Sequence, residues 1–125
     1  MEETTMIAHI GTVALYVDDQ QQALEFWTEK AGFEVYRNDP MGANASWIEV
    51  GPKGARSHLV IYPKTMMPNA NELKASIVFV TDNMTETYET MKKNGVGFKQ
   101  EPNEMPWGTF AIFQDNEGNE FVLKG

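Results

Sequence analysis

Apolar and polar positions along this chain follow two periods. Val13, Leu15 and Val17 fall on one face of a two-residue alternation, and Thr12, Ala14 and Tyr16 on the other. That pattern predicts a strand over residues 11–17. After Asp19 the period changes, and Ala23, Leu24, Trp27 and Ala31 recur at helical spacing. The same succession returns further on: an apolar run at 75–80, then Met84, Thr87, Tyr88 and Met91 at helical spacing. Runs rich in β-branched and aromatic residues predict strands at 33–37, 46–50 and 57–62, and again at 97–100, 109–114 and 120–124. Turn-forming residues occupy 41–44, 51–54, 107–108 and 116–119.

The chain thus repeats one plan. Asp19 stands 13 residues before Gly32, and Asp82 stands 13 before Gly95, so the halves match at an offset of 63. Both aspartates suit a helix N-cap, where a carboxylate accepts from unpaired backbone N–H groups. Gln22 lies at capping-box spacing from Asp19. Both glycines suit the left-handed position after a helix, and Lys30, Lys92 and Lys93 suit the negative end of the helix dipole. Each half reads strand, helix, strand, strand, strand. The prediction is an α+β fold of two tandem βαβββ modules, at about 8–64 and 74–125, joined by 63–73. Neither half buries both faces of its sheet alone, so residues 1–125 are expected to form one domain.

The residues Val13-Ala14-Leu15-Tyr16-Val17-Asp18-Asp19, Ala23-Leu24-Glu25-Phe26-Trp27 and Gly32-Phe33 carry a family resemblance. So do Phe79-Val80-Thr81-Asp82, Lys93-Asn94-Gly95-Val96, Pro106-Trp107-Gly108 and Asp115-Asn116-Glu117-Gly118-Asn119. In that order the chain resembles the vicinal oxygen chelate superfamily, which includes glyoxalase I, extradiol dioxygenases, fosfomycin-resistance transferases and bleomycin-resistance proteins. The resemblance covers about residues 9–124. It implies curved sheets around a cleft and, at this chain length, a homodimer.

Many family enzymes hold a divalent metal with His or Glu, one near the start of each module's first strand and one in each last strand. Carried onto this chain, those positions fall on Thr12, Ala75 and Val122, with His58 or Val60 as the fourth. Three of the four are not ligand side chains, so no metal and no cofactor is expected. An atypical set of His9, Glu49 and His58 would be the alternative, giving a metal-dependent lyase, isomerase or dioxygenase. Glu49 with His58 is also the one candidate acid–base pair.

The face that the family turns toward the cleft is, by this alignment, lined by Thr12, Tyr16, Ile77, Phe79 and Val122, with His58 and Tyr62. Trp47, Glu49, Phe110 and Ile112 are added if their strands keep the same facing, and Trp107 would cap the mouth from its turn. Aromatic walls with a few polar groups suit a small-molecule pocket. Phe26, Trp27 and Phe33 are assigned to the core, and Met66 and Met67 beside Pro68 to a lid or a flexible join.

Composition narrows the partners. The chain has 125 residues, no Cys, and a formal charge of −8 from 10 Lys and Arg against 18 Asp and Glu. Absent Cys excludes disulfides and thiolate chemistry. The acidic balance argues against nucleic acid and anionic membrane as partners. Met1 to Thr5 is acidic and lacks a signal-peptide core, so a cytoplasmic setting is expected. The reading that follows resembles the bleomycin-resistance branch: a metal-free protein that sequesters an organic ligand, aromatic or cationic, in a cleft.

Overall fold

The computed structural model describes residues 6–7, 9–42 and 44–125; the acidic stretch 1–5 and one residue of the predicted turn at 41–44 lie outside the described residues. The first module runs β1 (Thr12–Val17), α1 (Gln20–Glu25), a π-helical continuation (Phe26–Lys30), β2 (Glu34–Gly42), β3 (Ala45–Gly51) and β4 (His58–Pro63). Two short 3₁₀ turns, Lys64–Met66 and Ala70–Glu72, fill the join. The second module follows as β5 (Val78–Val80), α2 (Met84–Lys93), β6 (Gly97–Met105), β7 (Gly108–Gln114) and β8 (Glu120–Lys124). The sheets are ordered β1-β4-β3-β2 and β5-β8-β7-β6. β1–β4 and β5–β8 pair in parallel, and the remaining neighbours antiparallel. This is the predicted α+β fold of two βαβββ modules.

β2 and β6 run further than their apolar patterns suggest because both are edge strands. Pro40 and Pro102 lie on these edge strands, where an N–H that points to solvent can be missing without loss of a ladder bond. Both strands also carry register shifts that break a clean alternation. β5 is shorter than the 75–80 run: the ladder pairs Val78, Phe79 and Val80 with Val122, Leu123 and Lys124.

The two helices differ in length by one residue, and this corrects the repeat. Asp19 caps α1, accepting from the Gln22 N–H at 3.1 Å. The second cap is Asn83 rather than Asp82: its side chain accepts from the Glu86 N–H at 3.0 Å. From cap to glycine the first helix therefore has one residue more than the second. The extra residue is absorbed by π winding, in which the Ala31 N–H bonds the Phe26 carbonyl and the Phe33 N–H bonds the Trp27 carbonyl. The halves consequently match at 64 through the first strand and the cap, at 63 from the terminal glycine through β3 and β7, and at 62 in the last strands, where Leu59 and Ile61 correspond to Phe121 and Leu123.

This one-residue slip reverses the face predicted for β5. Phe79 does not face the open side. It lies in the core, with ring centroids 5.7 Å from Trp27, 5.8 Å from Phe33 and 5.8 Å from Phe121. Ala75 and Ile77 also pack against the core, while Val78 and Val80 are 55% and 75% exposed. The structural counterpart of Thr12 is thus Ser76, not Ala75.

The core joins both modules on the helix side of the sheets. Leu15, Val17, Ile48, Val50, Leu59 and Ile61 of the first module share one cluster with Ala111, Phe113, Phe121 and Leu123 of the second. Phe26 and Trp27 are buried as predicted, and Phe33 packs against them. Trp27 sits at the centre, with Phe113 and Phe121 at 6.1 and 5.3 Å. Its indole N–H has no hydrogen-bond partner among the described residues. An unmade buried bond costs about 1–3 kcal/mol, whereas burying an indole contributes about 4–6 kcal/mol by area. Packing therefore wins at this position.

Polar ties complete the arrangement. Gln20 donates to the Ser46 and Ile61 carbonyls and accepts from the Ser46 N–H, fastening the start of α1 to β3 and β4. In the turn before β8, the buried Asp115 carboxylate accepts from the Glu117 and Asn119 N–H groups and from the Asn119 side chain. Held in this way, Glu117 reaches the first module and accepts from the Asp18 and Asp19 N–H groups at 2.9–3.2 Å.

Candidate functional site

The sheet faces turned away from the core hold most of the predicted site residues. On β1 and β4 the parallel register places Thr12 beside His58, Ala14 beside Val60 and Tyr16 beside Tyr62. On β3, Ile48 and Val50 point into the core, so Trp47 and Glu49 join the open face. Thr12, Ala14, Tyr16, Trp47, Val60 and Tyr62, with Met67 from the join, line a depression of about 260 Å³. Its aromatic walls meet nearly at right angles: Tyr16 to Tyr62 at 6.0 Å and 89°, and Trp47 to Tyr62 at 6.1 Å and 77°. Among the described residues, no charged side chain lines it.

Beside this floor lies a buried polar network. Glu49 is 8% exposed. It accepts from the Trp47 indole N–H at 2.7 Å and faces His58 Nδ1 at 2.8 Å and Arg37 Nη1 at 3.6 Å. Burial pushes its carboxyl up, but the hydrogen bonds from Trp47 and His58 and the charges of His58 and Arg37 outweigh burial and hold it below the usual glutamate value. The second His58 nitrogen, Nε2, lies 2.9 Å from the Ala55 carbonyl, and the Tyr36 ring stacks on the imidazole at 3.9 Å. Glu49 and His58 thus meet, but both nitrogens of His58 are engaged within the protein. Neither is free to take a proton from a ligand, as a general base must.

The other predicted residues lie elsewhere. Phe110 and Val122 belong to β7 and β8, whose core-facing neighbours are Ala111, Phe113, Phe121 and Leu123, so both occupy the open face of the second sheet. Neither lines the depression on the first sheet. Trp107 is 66% exposed in the β6–β7 turn. Phe79, expected in the cleft, is in the core, for the reason given above. Met67 enters the site from a join that shows no periodicity. Tyr36 and Arg37 reach the network through the register shift in β2, which the alternation of residues does not signal.

The family's metal does not fit this donor set. The positions are Thr12, Ser76 after the one-residue correction, Val122 and, by the equivalent pairs Ala14–Val60 and Val78–Val122, Val60 rather than His58; none of these is a usual metal ligand. The alternative trio does not assemble either. His9 lies 3.2 Å from Arg56, a cation, and among the described residues no three His, Asp or Glu side chains converge as metal ligands. Among the described residues, no helix is long and apolar enough to cross a membrane.

Comparison with known proteins places this geometry. The chain is 59% identical to the protein YetH of Bacillus subtilis (strain 168) over 119 residues, 95% of this chain and 99% of that one. It superimposes on TnmS3, an antibiotic binding protein from Streptomyces sp. CB03234, with a TM-score of 0.80 and 31% identity, covering 97% and 98% of the two chains. A glyoxalase/bleomycin resistance protein/dioxygenase superfamily member from Sphaerobacter thermophilus DSM 20745 gives a TM-score of 0.84 at 27% identity, covering 96% and 98%. The family model itself matches residues 7–123. With paired βαβββ modules, an open aromatic face and this match along nearly its whole length, the chain belongs to the Glyoxalase/Bleomycin resistance protein/Dioxygenase superfamily.

Proposed function

We propose that the chain is a metal-free small-molecule-binding protein that sequesters an aromatic organic ligand on the open face of its first sheet. The observation that carries this reading is the depression walled by Tyr16, Trp47 and Tyr62, with the Thr12 hydroxyl at its edge. Apolar walls with a few hydroxyls are the usual make-up of a ligand pocket. Similarity to an antibiotic binding protein supports the same reading. The enzyme alternative lacks support from the donor set and from a free base. The exposed apolar pair Val78 and Val80 on the second sheet favours a homodimer in which another copy covers that face. The expected setting is the cytoplasm.

A thermal-shift screen of flat aromatic antibiotics, neutral and cationic, tests the proposal. A ligand present at 100 times its Kd stabilises the native state by about 2.7 kcal/mol, a shift of several degrees. Trp47→Ala and Tyr62→Ala are expected to abolish the shift while leaving the ligand-free Tm within a few degrees. Binding that survives both substitutions, or a stoichiometric divalent metal in protein purified without chelator, would overturn it.

A further inference from the structure

We propose that His58 is a positioning residue for the aromatic floor: protonated on both ring nitrogens, it clamps Glu49 to the β3–β4 turn, and Glu49 in turn fixes the Trp47 indole. This rests on the binding reading above only in taking Trp47 to touch the ligand. Nδ1 faces a Glu49 oxygen at 2.8 Å and Nε2 faces the Ala55 carbonyl oxygen at 2.9 Å. Both partners are acceptors. A neutral imidazole donates from one nitrogen only, so the doubly protonated ring alone satisfies both. The Tyr36 face lies parallel to the ring at 3.9 Å and 13°, an arrangement that favours a cation.

The turn held by this clamp has other anchors at its two ends. The Tyr36 hydroxyl donates to the Pro52 carbonyl at 2.5 Å, the Ala55 N–H donates to the same carbonyl at 3.1 Å, Arg56 lies 3.2 Å from His9, the Ser57 hydroxyl donates to the Ile10 carbonyl and the His58 N–H donates to the Gly11 carbonyl at 3.0 Å. When His58 loses a proton to solvent, one ring nitrogen presents a lone pair to an oxygen. Either the turn or Glu49 then gives way. Glu49 is the acceptor for the Trp47 N–H, so the disturbance reaches the floor of the depression.

The surrounding charges set the pH window. From β3 the ring faces Glu49; from β2 it faces Tyr36, with Arg37 on the far Glu49 oxygen and Asp39 holding Arg37 at 2.9 Å. Arg56 in the turn lies against His9, and Thr12, opposite on β1, carries no charge. The Glu49 carboxyl, kept below its usual range, remains the charged acceptor that faces Nδ1. The clamp is therefore closed while both ring nitrogens carry protons and opens when one is lost.

The test is a pH titration of the ¹⁵N-labelled full chain from pH 5 to 9, following the His58 ring and the indole N–H signals of the 3 Trp residues. Trp47→Phe and Trp107→Phe assign the signals. The expected result is that the Trp47 indole and the amides of Ala55, Arg56 and Ser57 move with the His58 midpoint, while Trp107 stays flat. His58→Gln should abolish the Trp47 response, and Glu49→Gln should uncouple the two residues if the first variant fails to fold. Nile red binding, measured alongside, should weaken several-fold above the midpoint. A Trp47 indole that stays flat across the His58 titration, or keeps its response in His58→Gln, overturns the proposal. If the coupling appears but Nile red and the aromatic panel fail to bind, the binding reading falls and the clamp stands.

Discussion

Glu117 is predicted to hold the two modules together, and Glu117→Ala measures how firmly. Its carboxylate spans 98–99 residues of sequence to take two backbone N–H groups at the start of α1. The side chain is 14% exposed, with Lys64 at 3.8 Å. Hydrogen bonds to a charged group contribute about 1.5–3 kcal/mol when sheltered. Asp18 and Asp19 are exposed, so water recovers part of the loss, and about 1 kcal/mol for each donor remains. The expected destabilisation is about 2 kcal/mol, or roughly 6–10 °C in Tm for a chain of this size. Glu117→Gln should lose about half of that, since its amide keeps one acceptor and turns N–H groups toward the other donor. Lys64→Ala, which removes only the partly exposed ion pairs with Asp18 and Glu117, should cost about 0.5 kcal/mol. Thermal and urea unfolding followed by circular dichroism give all three values, with an unchanged m-value showing that the unfolded reference is shared. A Glu117→Ala Tm within about 1 °C of the parent would refute the reasoning. So would a Lys64→Ala loss as large as that of Glu117→Ala, because charge pairing rather than the N–H bonds would then be the tie.

Two further outcomes bear on the corrected register and on the network. Asn83→Ala should cost about 1 kcal/mol by removing the α2 cap, and Asp82→Ala no more than a few tenths; equal losses in urea unfolding would contradict the 64-residue match. The Glu49 carboxyl is lowered in the folded protein, so its contribution to stability is complete above the unfolded-chain value of about 4.3 and is lost as pH falls through the lower folded value. The stability gap between the parent and Glu49→Gln should therefore be fully present at about pH 5 and should close under more acidic conditions. A gap independent of pH in the acid range would show that Glu49 titrates as it does in the unfolded chain.

What could be read from the residues was local. Alternation placed Leu15, Val17, Phe121 and Leu123 inside and Thr12, Tyr16 and Val122 on the opposite face, because a pleated strand permits nothing else. It fails at Phe79 because the face of β5 follows from matching Asp82 to Asp19, each 13 residues before its glycine, whereas the first helix has one extra residue and the true counterpart is Asn83. A π turn leaves no compositional mark, so the count carried no warning. The pairing of Glu49 with His58 was a candidate without evidence of contact: Glu49 sits opposite Val60, and His58 reaches it diagonally from the next residue on that face. Tyr36 enters through a bulge, and Glu117 acts over a distance that no local pattern encodes.

Trp27 also has a consequence for how the chain comes off the ribosome. Its neighbours Phe79, Phe113 and Phe121 all lie more than 50 positions later, and the last belongs to the final strand. The first half is synthesised complete with its own sheet pairing and with Phe26 and Phe33 beside Trp27, but without the other three rings that cover it. Throughout translation of the second half, Trp27 must stay partly uncovered or be shielded by something other than Phe79, Phe113 and Phe121. A nascent chain stalled before Phe121 emerges would be the species most prone to associate with its neighbours, and emergence of β8 would be the event that ends the risk.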